Sequence, residues 1–177
     1  MFLVPFVLLG LASVPLAGGR VGALAGIRFR RLELLAAAFA VQVPLAFPVV
    51  PDAACRFLHL VSYALIAGFL VGNRHLTGIP VVAFGALTNL LAIAANGGVM
   101  PATAGAYARA GLTETAGFAS SAVLDSPRLL AFGDVFAIPA GLPLHNVFSI
   151  GDVCIAIGAF LVVHAACGCR WLEDARA

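Results

Sequence analysis

The stretch VFSIGDVCIAIGAFLVVHAACG, residues 147–168, runs for 22 residues with a single charged group, Asp152. A helix needs about 20 apolar residues to cross the hydrocarbon core of a bilayer. The run therefore reads as a membrane span, entered from a Pro-broken loop that ends at His145 and Asn146. Its carboxylate raises a second question, because FGDVFAIP at 132–139 repeats the same Gly-Asp-Val triplet eighteen residues upstream.

The rest of the chain has the same character. Of 177 residues, 62% are hydrophobic and 10% charged, against roughly a quarter charged in soluble domains. Four further apolar runs, at 1–18, 33–50, 57–73 and 79–96, are closed by Arg, Pro or Gly. With 147–168 they predict an all-α integral membrane protein: one domain over 1–177, five transmembrane helices, and an irregular, re-entrant extracytoplasmic segment at 97–146 between helices four and five. The N-terminal run lacks a positive n-region and an A-x-A cleavage site, so it reads as a retained helix. All ten basic residues are Arg. Seven (Arg20, Arg28, Arg30, Arg31, Arg74, Arg170, Arg176) fall on one side of the spans and three (Arg56, Arg109, Arg128) on the other. The positive-inside rule then places the N-terminus outside and the C-terminus inside a bacterial cytoplasmic (inner) membrane.

A net charge of +2 gives no reason to expect a nucleic-acid partner. Cys55, Cys154, Cys167 and Cys169 fall at different membrane depths, which argues against a disulfide framework. Cys167-Gly168-Cys169 has no second His or Cys pair to complete a four-ligand set, so neither a metal nor a cofactor is expected.

Within 97–146, the part through Leu130 is small, weakly amphipathic and lightly charged, and predicts helical turns lying on the bundle. AFGDVFAIPAGLPLHN, at 131–146, is apolar but broken by Pro139, Gly141 and Pro143, so it cannot span. Irregular backbone at membrane depth must be buried in protein or line a wet cavity, and this segment reads as the mouth of a pocket. Inside the spans, Gln42 and Asn89 suit interhelical hydrogen bonds. His59, with Ser62 and Tyr63 one turn on, lies near the outer end of its helix, close to Arg56 and level with that mouth.

The two aspartates admit two accounts. Ser149-x-x-Asp152 matches the capping-box pattern, in which the serine caps the helix and the carboxylate accepts from its free N–H groups. Alternatively Asp134 folds back to meet Asp152; two carboxylates sharing one low-dielectric site then share a proton, one serving as base and the other as acid. Asn96-Gly97-Gly98 likewise reads either as a helix stop or as a set of donors for a substrate carbonyl.

NGGVMP (96–101), followed by GDVFAIP (133–139) and NVFSIGDVCIAIGAFL (146–161), resembles a family of small bacterial membrane proteins catalogued as a domain of unknown function. That likeness covers nearly the whole chain and implies a membrane location. GDVFAI and NVFSIGDVCIAIG are also similar to two segments of lipoprotein signal peptidase (signal peptidase II), V-x-D-F-I and the F-N-[VI]-A-D-S that opens its last helix. The resemblance extends to their order, spacing and outside-to-inside direction. It implies an aspartic-type intramembrane endopeptidase with Asp134 and Asp152 as the catalytic pair and Asn96 and Asn146 near the substrate. Gly97, Gly98, His59 and His145 complete the expected substrate-binding set. The peptidase differs in having four spans and a cytoplasmic N-terminus, and its Asn-Gly segment is two spans away from the aspartates. Here Asn96 precedes Asp134 by 38 residues with no span between. The expected function is hydrolysis of a lipid-linked or membrane-embedded substrate, with membrane lipid and other membrane subunits as further partners. The alternative is a non-enzymatic protein, an accessory subunit or a lipid- or quinone-binding protein, whose aspartates are structural caps or ion pairs.

Overall fold

The computed structural model describes residues 3–43, 51–113 and 119–174. Each of the five apolar runs contains a helix: α1 (Leu3–Ser13), α2 (Leu32–Gln42), α3 (Asp52–Gly72), α4 (Ile79–Ala95) and α6 (Ile150–Ala166). With 21 residues, α3 is long and apolar enough to cross a membrane; α2, α4 and α6 are apolar but shorter. The first helix closes at Ser13, and the second half of the run at 33–50 includes residues 44–50, which lie outside the described residues.

The last helix starts three residues later than the run at 147–168 suggests. Asn146–Phe148 form a strand instead, and Ser149 caps the helix. Asp152 consequently sits in the first turn of α6. Local pairing of an extended segment has overridden apolar periodicity here, since a short apolar run reads equally as strand or helix.

In space the helices follow the order α2, α3, α4, α6, α1, each packed on its neighbour. The closest pair, α4 and α6, is made possible by glycines. A Cβ on Gly85 would stand 2.4 Å from the Gly151 carbonyl oxygen, and one on Gly158 2.8 Å from that of Gly78. Both pairs repeat at seven residues, so the antiparallel backbones touch twice along one seam, the close approach that small residues permit. Facing α3, the core gathers Phe69, Leu70 and Ile79.

Beside the buried Ile79 and Ile93, α4 turns small and polar side chains inward and large apolar ones outward. Its buried positions include Gly85, Thr88, Asn89 and Ala92, while its outward stripe carries Phe84 (59% exposed), Leu87 (51%) and Leu91 (47%). Phe39, Phe57, Val71 and Ile157 give the neighbouring helices the same outward character.

Residues 97–113 and 119–148 cap one end of this row. β1 (Met100–Ala102) pairs in parallel with β2 (Ser121–Val123), and β3 (Phe136–Ile138) pairs antiparallel with β4 (Asn146–Phe148). Between β1 and β2 lies α5 (Ala104–Ala110), capped by the Thr103 hydroxyl and stopped at Gly111 in a left-handed conformation. Among the described residues the expected helical turns of this region reduce to α5 and a 3-10 turn at Leu130–Phe132, with strands between. The segment has no strong helical period to compete with strand pairing. A short helix, α7 (Arg170–Asp174), follows α6 at the other end.

Candidate active site

The hairpin β3–β4 explains how the two Gly-Asp-Val triplets meet. Phe136 pairs with Phe148, so Asp134, two residues before β3, and Ser149, one after β4, emerge at the same end of the ribbon. Asp134 is then fixed by a second partner. Its N–H donates to the Pro101 carbonyl (2.8 Å), its own carbonyl accepts from Thr103 N–H (3.2 Å), and together these extend the end of β1. Gly133 is required for this approach, because a Cβ there would lie 2.2 Å from the Pro101 oxygen.

The Asp134 side chain is buried, 6% exposed, and its Oδ2 accepts a 2.6 Å bond from the Ser121 hydroxyl of β2. Burial pushes its carboxyl up from 3.8 to about 6; the Ser121 hydroxyl opposes the rise and the charge of Asp152 adds to it. The two aspartates therefore stand close enough to interact electrostatically, each supplied by one triplet.

Asp152 completes a capping box. Its Oδ2 accepts from the Ser149 backbone N–H (2.9 Å), while the Ser149 hydroxyl accepts from the Asp152 N–H (3.0 Å). The buried Asn89 of α4 locks this cap from the side: its Nδ2 donates to Asp152 Oδ1 (2.9 Å) and its Oδ1 accepts from the Ser149 hydroxyl (2.8 Å). Gly151 leaves room for that amide, since a Cβ there would meet Asn89 Oδ1 at 2.0 Å. Tyr63, from α3, faces Asn89 and both carboxylates. Beside the cap, a cavity of about 490 Å³ between α1 and α6 is lined by Phe6, Leu9, Phe148, Val153 and Phe160.

The other expected residues divide into two groups. Asn96, Gly97, Gly98 and His59 come together. His59 Nδ1 lies 2.9 Å from the Gly98 carbonyl, and Gly98, at φ +95°, packs on the backbone of Arg56. Asn96 acts like a strand edge: its amide exchanges two bonds with the backbone of Arg128 (2.8 and 2.9 Å) and donates a third to the Ala92 carbonyl. His59 meets Tyr63 edge-on at 5.5 Å, which connects this group to the aspartates. Asn146 and His145 stay apart from it, Asn146 half-buried in β4 and His145 exposed at the end of the hairpin loop. Among the described residues, no three His, Cys, Asp or Glu side chains converge as a metal-ligand set.

Sequence reasoning did not single out Ser121 as a partner of Asp134, nor Asn89 and Tyr63 as members of the aspartate site. Ser121 sits in a run of small residues without a signal. A polar pair facing inward from two apolar helices was the available clue to the other two.

A family model matches residues 26–164, from the turn before α2 to the last turn of α6, and so covers both triplets and the Asn-Gly-Gly turn. The chain belongs to DUF5317, a family of unknown function. No curated protein and no solved structure is significantly similar to it. Membership of DUF5317 takes in the cap and four of the five apolar helices and brings no chemistry, so any function must be argued from the site.

Proposed function

We propose that the chain is a multi-pass hydrolase of the bacterial cytoplasmic membrane, in which Asp134 and Asp152 form an acid/base pair acting at the extracytoplasmic face on a lipid-linked or membrane-embedded substrate. The observation that supports this reading is the placement of the two aspartates at one end of the β3–β4 hairpin, near enough to interact electrostatically, with burial raising Asp134 to about 6. A carboxyl titrating there holds its proton at mildly acidic pH and releases it near neutrality, as a general acid requires.

The membrane placement is supported by the outward apolar stripes of α2, α3, α4 and α6, which contiguous exposure to water would make unstable. Five spans with the N-terminus outside agree with the grouping of arginines. At about 1.5 Å per residue the 17 residues of α6 extend about 25 Å, close to the hydrocarbon thickness once tilt and local thinning are allowed.

The step balances without a further reactant. Asp152 takes a proton from water while the hydroxide oxygen bonds to the scissile carbonyl carbon, and Asp134 gives its proton to the carbonyl oxygen. The C–N bond then breaks, the leaving amine takes the proton held by Asp152, and a hydroxyl of the intermediate returns one to Asp134. Each oxygen of Asp152 already accepts one bond, and a carboxylate has about four acceptor sites, so capacity remains for water. The apolar cavity beside Phe148 and Val153 suits an acyl chain attached to the substrate.

One observation favours a second reading, that of a non-enzymatic accessory subunit or a lipid- or quinone-binding protein. Both Asp152 oxygens are engaged by the cap and by Asn89, as a purely structural residue would be. Cleavage of a diacylglyceryl-modified prolipoprotein by the purified protein, compared with Asp134→Asn and Asp152→Asn, decides between them. The hydrolase reading expects cleavage by the parent and at least a hundredfold loss in each variant. No cleavage by the parent, or equal rates in all three, leaves the second reading standing.

A further inference from the structure

The opposite end of the bundle is basic. The segment before α2 carries Arg28, Arg30 and Arg31, and the turn after α3 carries Arg74 and His75. A buried asparagine, Asn73, joins them: its Oδ1 accepts from the Arg30 N–H (2.8 Å) and its Nδ2 donates to the Arg30 carbonyl (2.7 Å) and to the Phe69 carbonyl (2.8 Å). This clamp fixes the arginine segment against the end of α3. Arg31 adopts a left-handed conformation (φ +55°) and lays its side chain on Gly72, within 3.4 Å of where a Cβ would be.

The result is an open cavity of about 1000 Å³, with Arg30, Arg31, Arg74 and His75 at its rim and the α3 face of Gly68 and Val71 as its floor. Among the described residues none of these arginines forms an ion pair with a carboxylate. Three exposed guanidinium groups without a carboxylate partner line this one cavity, and an anion is the complement they lack. Arginine forks also match phosphate oxygens in geometry.

We propose that this cavity binds the phosphate of an anionic phospholipid, with its headgroup between Arg30, Arg31 and Arg74 and an acyl chain along Val71 and Ala67 of α3. The apolar floor distinguishes a lipid from a free phosphate, since Val71 is 61% exposed directly beside the guanidinium rim. On the topology proposed above these residues face the cytoplasm, where the inner leaflet supplies anionic headgroups and juxtamembrane basic pockets attract them. The inference rests on the membrane placement and not on the aspartates.

Full-length protein in a neutral detergent is titrated with short-chain phosphatidylglycerol, with phosphatidylcholine of the same chain length, and with inorganic phosphate, and bound lipid is read by native mass spectrometry. Phosphatidylglycerol is expected to be retained at least tenfold better than phosphatidylcholine. Each of Arg30→Gln and Arg74→Gln should weaken it roughly fivefold, with roughly 25-fold for the double variant, on the basis of the usual attraction per basic residue near an anionic surface. Arg109→Gln, on the exposed face of α5, serves as the control and should bind as the parent does. Equal retention of both lipids, or parent-like binding by the double variant, overturns the proposal. Displacement of phosphatidylglycerol by inorganic phosphate at equal concentration overturns the lipid as the ligand. Unchanged melting, followed by Trp171 fluorescence, shows that the variants fold. Carbonate extraction of membranes tests the placement separately: a chain that resists extraction yet shows no lipid preference refutes only this inference.

Discussion

Replacing Asp134 with asparagine should make the protein more stable at neutral pH, by an amount that vanishes in acid. In the folded chain the carboxyl titrates at about 6 rather than 3.8, so the native state holds its proton over a range where the unfolded chain has already lost it. Stability must then fall as pH rises from about 4 to 6, and the loss is complete above that window. At about 1.4 kcal/mol per pH unit of displacement, the cost of ionising this buried group is ~3 kcal/mol. Asparagine never ionises, and its amide oxygen can still accept the bond from the Ser121 hydroxyl. The variant should therefore melt about 6–12 °C above the parent at pH 7.5, at roughly 2–4 °C per kcal/mol for a chain of this size, with the gap closing by pH 4.5. The single tryptophan, Trp171, donates to His164 Nδ1 (3.0 Å) and gives an intrinsic fluorescence signal for unfolding in detergent. A melting gap that stays constant from pH 4.5 to 8, or one that shrinks as pH rises, would show that Asp134 is not held as a buried acid. On the hydrolase reading the same variant loses activity while gaining stability, the opposition expected when a strained group is kept for function.

Three other perturbations probe the architecture around the pair. Gly151→Ala puts a methyl 2.0 Å from Asn89 Oδ1 and 2.7 Å from the Gly85 carbonyl; it should destabilise by about 1–3 kcal/mol or more in thermal melts, and a silent substitution would refute the tight α4–α6 seam. Ser149→Ala removes the α6 cap and one bond to Asn89, with an expected cost of about 1–2 kcal/mol, measured in the same way. Asn73→Ala breaks three bonds at a fully buried site. It should cost about 2–4 kcal/mol at roughly 1 kcal/mol per lost bond plus desolvated groups, and should loosen the segment around Arg30 in hydrogen exchange.

The helices were legible because their signals are local. The apolar runs at 57–73 and 79–96 place the C-terminal end of α3 and both ends of α4 to within a residue, although α3 begins at Asp52, five residues before its run, and Ser149-x-x-Asp152 marks the true start of α6 even though the apolar run begins earlier. The cap was not legible. Its strands are three residues each, too short for alternation to show, and β1 pairs with a β2 some twenty residues away whose sequence, Ser-Ala-Val, is neutral in propensity. The same limit hid Ser121, which reaches Asp134 only through that pairing. Asn89 was legible as a polar group seeking an interhelical partner, but the partner itself depends on the seven-residue glycine spacing of two helices read together.

The repeated Gly-Asp-Val owes its form to two different constraints with one outcome. At the first copy the glycine admits the Pro101 carbonyl and the aspartate takes a buried hydroxyl; at the second the glycine admits the Asn89 side chain and the aspartate closes a helix cap. Neither glycine is explained by a turn, and both are explained by what must stand beside the aspartate that follows. Because each carboxylate is held by its own element, one by a strand pair and one by a helix end, their environments differ. On the hydrolase reading, a pair built this way is asymmetric before any substrate arrives. Asymmetry of that kind separates a proton donor from a proton acceptor. On that reading a capping role for Asp152 is compatible with an acid role for Asp134: the cap fixes one partner in place, and the burial of the other sets where its proton is released.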